Sequence, residues 1–225
     1  KSSLHHAMLD ERLRRALARF APEVDRIGGA AAWVQAFPLE REGPARRQWQ
    51  NFAIQHEHQR SATRDLWLAL LVRSLAPHLP PSLATSVRAV IDAPSDPGSL
   101  FAAVRASEDA VIACIDAFDR QLERERRWLF VSYDELDTLL DEDWGAFGRV
   151  IRGVVSLWTE FSRRWRAVRA KLFLRTDFYG RFTDVVGADI AKLAANRVEL
   201  LWSDLYLFKV LLRRFASRSD AHRRY

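Results

Sequence analysis

The sequence predicts a helix-rich α/β fold built on a mainly parallel sheet, and three observations carry that prediction. Short apolar runs occur at residues 30–37 (AAAWVQAF), 128–131 (WLFV) and 171–174 (KLFL), each of strand length and followed by a polar residue or proline. Around and between them, apolar residues recur at threes and fours, the period of a helix. Strands that alternate with helices pair in parallel, because each intervening helix supplies the crossover. Hydrophobic side chains make up 48% of the 225 residues and charged ones 28%, the balance of a chain that folds round a core.

Taken in order, residues 4–20 place Leu4, Met8, Leu9, Leu13, Leu17 and Phe20 at helical spacing, with Arg12, Arg14, Arg15 and Arg19 filling the remainder. Pro22 and the pair Gly28-Gly29 punctuate the chain before the first strand, and Pro38 closes that strand. A charged loop at 41–47, holding Gly43 and Pro44, leads into a helical stretch over 46–75 marked by Trp49, Phe52, Ala53, His56, Leu66, Trp67, Leu70 and Leu71. Prolines at 77–81 and the turn APSDPG at 93–98 isolate a short helix over 83–91. A long helix follows over 99–125, because Leu100, Val104, Val111, Ile112, Ile115, Phe118 and Leu122 share a face. The period then changes at 128–131, a run suited to a strand buried on both faces. Helices are expected at 147–169, 187–196 and 198–218, giving a single domain with a helical insertion over 45–125 and a C-terminal helix within 198–225.

Several function classes are disfavoured by composition. The formal charge is +6 with an isoelectric point near 10.0, and only Lys1, Lys171, Lys192 and Lys209 among 35 basic residues are lysine. A GC-rich genome produces such an arginine bias, so basicity alone points only weakly to nucleic acid. The arginine runs at 120–127, 163–169 and 213–224 admit that partner, although solvated helix faces produce similar runs and Glu123 and Glu125 dilute the first. The single cysteine, Cys114, excludes an internal disulfide and reads as a buried thiol, which favours a reducing compartment. No stretch reaches the roughly 18 apolar residues of a bilayer span, and the start lacks a signal-peptide profile, so a cytoplasmic protein without a membrane partner is expected. The pairs His5/His6 and His56/His58 are spaced wrongly for one helical face, HExxH is absent, and no GxSxG elbow supplies an acyl-transfer nucleophile. Trp33, Trp128 and Trp202 fall in apolar runs and read as core; Trp49, Trp67, Trp158 and Trp165 lie on helical stretches, where core packing competes with an interface role.

The residues with chemical potential fall at element ends. Lys1-Ser2-Ser3 followed by an amphipathic helix matches the last part of GxxxxGK[ST], whose glycines would precede Lys1. In that motif the lysine neutralises terminal phosphates and the next hydroxyl binds magnesium, roles that would fall to Lys1 and Ser2, with Ser3 near the inner phosphates. An ordinary helix start capped by Ser3 accounts for the same tripeptide. The stretch RWLFVSYDELDTLL delivers Asp134 and then Glu135 at the end of an apolar strand, where a nucleotide hydrolase needs one acid beside hydrated magnesium and another to polarise water. A capping box, Ser132 to Glu135, is the competing reading. The run 171–174 ends in Arg175-Thr176-Asp177, placed where a neighbouring strand would present Arg175 or Thr176 to a terminal phosphate; a surface Arg-Asp pair explains them equally.

The order of KSS and helix, YDELD after one strand, FLRTD after the next, and Leu201-Trp202-Ser203 on a later helix resembles P-loop ATPases of the AAA+ and STAND-like group. Within it, the likeness is to the large bacterial ATPases of signalling and anti-phage defence. The resemblance implies a P-loop NTPase fold and a switch driven by binding and hydrolysis of ATP with Mg2+, controlling an attached effector or partner protein and open to self-association. It carries Lys1 and Ser2 over as phosphate and magnesium ligands, Asp134 as the magnesium-side acid, Glu135 as catalytic base and Arg175 as a sensor of phosphate. The chain departs from the pattern in lacking the glycine loop and the strand before it. The rival expectation is a non-enzymatic helical scaffold or nucleic-acid-binding module whose affinity falls steeply with salt and is indifferent to ATP.

Overall fold

Strands form where the apolar runs lie, and they pair in chain order. The computed structural model describes residues 8–12, 31–37, 43–59, 61–139, 143–177, 198–199 and 208–209. The chain divides into two units, Lys1–Ala195 and Asn196–Tyr225, and the architecture here is that of the first. Strands β1 (Ala31–Phe37), β2 (Trp128–Tyr133) and β3 (Val168–Leu172) make a parallel sheet with β2 in the centre. Ala32, Leu129 and Val168 stand side by side, as do Val34, Val131 and Ala170, and this face joins the hydrophobic core. On the opposite face Trp33 lies 4.8 Å from Phe130, and the Lys171 ammonium sits 5.2 Å from the Phe130 ring centre. The expectation that residues 128–131 are buried on both faces is therefore corrected: Trp128 is exposed and Phe130 half-buried, because alternate side chains leave the sheet on opposite sides.

All described secondary structure between β1 and β2 is helical: α1 (Arg46–Gln55), α2 (Ala62–Leu75), α3 (Pro81–Ser86), α4 (Arg88–Ile91) and α5 (Pro97–Arg124), with a 3-10 turn at Ala76–His78. The stretch expected to be helical over 46–75 is two helices, α1 ending at Gln55 and α2 starting at Ala62, and the intervening sequence HEHQRS (56–61) offers no apolar side chain to bury. The expected helix over 83–91 is likewise two, divided at Val87, whose side chain is buried. Helix α5 starts at Pro97 because the Asp96 carboxylate accepts the Ser99 amide at 2.9 Å and proline suits the first helical turn. It is kinked at Ser107, whose hydroxyl donates to the Ala103 carbonyl at 2.8 Å.

After β2, α6 (Trp144–Phe161) is capped by Asp143, which accepts the Ala146 amide at 2.9 Å. The sequence placed this helix at 147–169 and the next strand at 171–174, and both positions are corrected. The reason is Asp119, a buried acid on α5. Its carboxylate accepts the amides of Arg166 at 3.0 Å and of Ala167 and Val168 at 2.8 Å, holding a bend at Arg166 and Ala167 directly before β3, where a helix would otherwise continue. Neighbouring Asp116 accepts the Trp165 indole at 2.9 Å and pairs with Arg164.

The middle of the helical layer is α2, buried on nearly every side against α5 and α6 and touching β1. An apolar all-round helix belongs in an interior, yet this one carries Arg64 and Asp65. Burial opposes the charge on Arg64, but Glu160 (2.9 and 2.8 Å), Glu108 (2.7 Å) and Asp65 (2.6 Å) outweigh it and hold the guanidinium protonated. Burial raises the pKa of Asp65 against the pull of the same arginine. Trp49, Trp67, Trp158 and Trp165, for which an interface role competed with packing, are all core residues. Helices α2 and α6 approach closely at Gly153, where an added Cβ would lie 2.7 Å from the Thr63 hydroxyl oxygen and carbonyl carbon. No helix among the described residues is long and apolar enough to cross a membrane.

Replacing Asp119 with alanine should lower unfolding free energy in urea by about 3 kcal/mol, since three buried amides lose a charged acceptor together. Gly153→Ala should destabilise by about 1–3 kcal/mol in the same assay, although alanine is the better helix former, because the helices must part to admit its methyl group.

Candidate active site

The carboxyl ends of the three strands form one rim, and the hydrogen bonding of the sheet runs one residue past them. The Asp134 amide donates to the Phe37 carbonyl at 3.0 Å, and the Phe173 amide donates to the Tyr133 carbonyl at 2.8 Å. The backbone leaving β2 is thereby fixed between its neighbours. Beneath it, Tyr133 is wholly buried; burial pushes its phenol far up, and its oxygen accepts the Trp158 indole at 3.1 Å. Trp67 meets the Tyr133 ring edge-on at 5.6 Å and donates its indole hydrogen to the Val150 carbonyl at 2.8 Å. Phe37, Trp49 and Trp67 continue the aromatic layer under β1.

Asp134 is 1% exposed, and its Oδ1 accepts the Glu135 amide at 2.8 Å. Glu135 has a φ of 55°, the left-handed region, which costs a residue with a Cβ about 1–2 kcal/mol. Its half-buried position follows from this reversal, which ends the strand and turns the chain into the 3-10 turn Leu136–Leu139. Leu136 and Leu139 anchor the turn in the core, and Gln50 of α1 donates to the Leu139 carbonyl at 3.3 Å. The Glu135 carbonyl accepts both the amide of Thr138, at 2.8 Å, and its hydroxyl, at 2.7 Å.

Arg175 reaches the same rim from β3. Its Nε and Nη2 donate to the two carboxylate oxygens of Asp177 at 3.1 and 2.8 Å, and its Nη1 lies 3.7 Å from Asp137 Oδ2. The hydrogen bonds and charge of Asp177, and then the charge of Asp137, raise the guanidinium's pKa further. Thr176 is exposed beside it. The rim thus brings together Asp134, Glu135, Arg175 and Thr176 from two loops; Lys1, Ser2 and Ser3 lie outside the described residues. The capping-box alternative does not form, because Ser132 is a strand residue whose hydroxyl donates to the Val34 carbonyl at 3.0 Å. Sequence reasoning passed over Asp137 and Thr138, although the spacing from Glu135 to Thr138 within ELDT is that of a tight turn.

The other candidates have structural occupations. Cys114 is buried, its thiol 3.5 Å from the Leu83 carbonyl, and burial raises its pKa. His56 stacks on Phe52 at 4.2 Å, and among the described residues no group of three or more His, Cys, Asp or Glu side chains converges to hold a metal ion. Within the first two arginine runs, Arg127 pairs with Glu125, Arg164 with Asp116, and Arg169 donates to the carbonyls of Arg166 and Ser162. The run 213–224 lies outside the described residues.

No protein-family model, curated protein or solved structure matches this chain.

Since Glu135 stands in the left-handed region that glycine adopts without penalty, Glu135→Gly should raise unfolding free energy by up to about 1 kcal/mol in urea titration, the sign opposite to that of most glycine substitutions.

Proposed function

We propose that this chain is a nucleotide-switch domain that binds ATP with magnesium and hydrolyses its terminal phosphoryl bond, like the P-loop ATPases its motifs resemble. The observation that supports the reading is one juxtaposition. A buried acid, Asp134, and a reversed, partly accessible acid, Glu135, leave the central strand of a parallel sheet beside an arginine, Arg175, delivered by the next strand. Ligands of open parallel sheets bind at that end of the strands.

The donor set suits the ion. Asp134 offers a hard carboxylate oxygen of the kind magnesium accepts alongside water and phosphate, and its burial keeps that oxygen from wandering. Magnesium, when bound, neutralises charge on the phosphates. Glu135 takes a proton from the attacking water while the water's oxygen bonds to the terminal phosphorus and the phosphorus–bridging-oxygen bond breaks, leaving ADP and inorganic phosphate. Arg175 supports the charge of the departing phosphoryl group, and Thr176 is the neighbouring hydroxyl available to it. Lys1 and Ser2 take the phosphate and magnesium roles that the resemblance gives them, with Ser3 by the inner phosphates. As a switch, the domain would pass its nucleotide state to an attached effector or to further copies of itself, the setting implied being bacterial signalling or defence.

The test is calorimetric titration of ATP, with and without magnesium, into the full-length product of the encoding gene. Micromolar, magnesium-dependent binding is expected, lost in Lys1→Ala and retained in Glu135→Gln, with turnover by Glu135→Gln reduced at least about a hundredfold. Equal loss of binding in both variants would overturn the assigned roles. A folded protein that ignores ATP but binds nucleic acid with a steep salt dependence would replace this reading with the scaffold or nucleic-acid module.

A further inference from the structure

Resting on the reading above, we propose that the 3-10 turn Leu136–Leu139 is the positioning element of the site, with Thr138 aiming Glu135 and Asp137 aiming Arg175. The turn is anchored from below by buried Leu136 and Leu139 and from the side by Gln50, so its two middle residues are presented outward on fixed backbone. Thr138 grips the Glu135 carbonyl twice, through its amide at 2.8 Å and its hydroxyl at 2.7 Å. Glu135 stands at φ 55°, a conformation that a residue with a Cβ holds only when its surroundings enforce it, and this pair of hydrogen bonds on its carbonyl, with the Asp134 carboxylate on its amide, supplies the enforcement. Asp137, one residue earlier, has its carboxylate 3.7 Å from Arg175, while Asp177 takes the other edge of the same guanidinium. The base and the arginine therefore share one support although they leave different strands. Neither Asp137 nor Thr138 is a catalytic residue on this view; each acts through its neighbour.

Two positioning roles give two separable signatures. Thr138→Val keeps the shape and the backbone bond but removes the hydroxyl, so kcat should fall about tenfold while KM and ATP affinity stay within about twofold, as expected when a base is misaimed and binding is not. Thr138→Ser should restore the rate. Asp137→Asn should instead erode the preference for ATP over ADP, because the arginine that meets the terminal phosphate has lost its guide, and Thr138→Val should leave that preference alone. Backbone 13C shifts of Glu135 provide a readout that needs no nucleotide: the left-handed signature should weaken in Thr138→Val and return in Thr138→Ser. An unchanged rate and unchanged shifts in Thr138→Val, failure of serine to rescue, or an unaltered ATP-to-ADP ratio in Asp137→Asn would overturn the inference. If the wild-type protein neither binds nor hydrolyses ATP, the functional reading falls, and the 13C comparison alone then decides whether Thr138 holds Glu135.

Discussion

One carboxylate sets the register of everything at the rim. Asp119 projects from near the C-terminal end of α5 into the opposite end of the sheet and takes three successive backbone amides, those of Arg166, Ala167 and Val168. A buried acid takes three consecutive amides only where the backbone bends around it, as it does at Arg166 and Ala167, so the bend is fixed in one particular place. Strand β3 therefore begins at Val168, its pairing with β2 follows, and five residues later Phe173 meets the Tyr133 carbonyl. Arg175 arrives beside Asp137 as the last consequence of that chain. A helical residue thus governs the position of a loop at the other end of a neighbouring strand.

The layer beneath the rim is stiff for a second reason. Arg64 sits inside the helical layer with three carboxylates around it, drawn from α2, α5 and α6, and lies 5.6 Å from the Phe161 ring. Such a cluster adds little net stability over an apolar packing but tolerates few alternative arrangements, since any slippage leaves a charge without its partner. It meets α5 at Glu108, directly after the kink at Ser107, so the bend of the longest helix and the placing of α2 are set together. The aromatic layer from Phe37 to Trp165 then carries that rigidity to the last residue of β2.

Much of this was legible in the sequence, and the misreadings have physical causes. The strand at Ala31–Phe37 and the strand ending before Asp134 were readable because both are short apolar runs, one closed by Pro38 and the other entering at a break in the helical period. Helix over 99–125 was readable because its apolar stripe is long. The boundary between α6 and β3 was not, since residues 162–168 (SRRWRAV) continue a helical pattern locally and only the distant Asp119 overrides it. Among the tryptophans, core packing was the better expectation for most and the four on helical stretches are core, whereas Trp128, expected in the core from its apolar run, is exposed, because a strand shows alternate residues to opposite sides. At the site, the acid pair stood out by its place after a strand. Asp137 and Thr138 did not, because their importance comes from the left-handed backbone of Glu135 and from a neighbour after another strand, neither of which periodicity encodes.

The aromatic layer has an optical consequence. Trp49 and Trp67 lie 4.5 Å apart with rings tilted by 38°, and Trp158 and Trp165 lie 5.8 Å apart at 78°. Indoles that close and that skewed share their electronic transitions, and the resulting exciton bands overlap the amide region of the far ultraviolet. Circular dichroism of this chain therefore reports the mutual orientation of these rings as well as its helices, so a change near the rim registers as a spectral change without any residue leaving its helix.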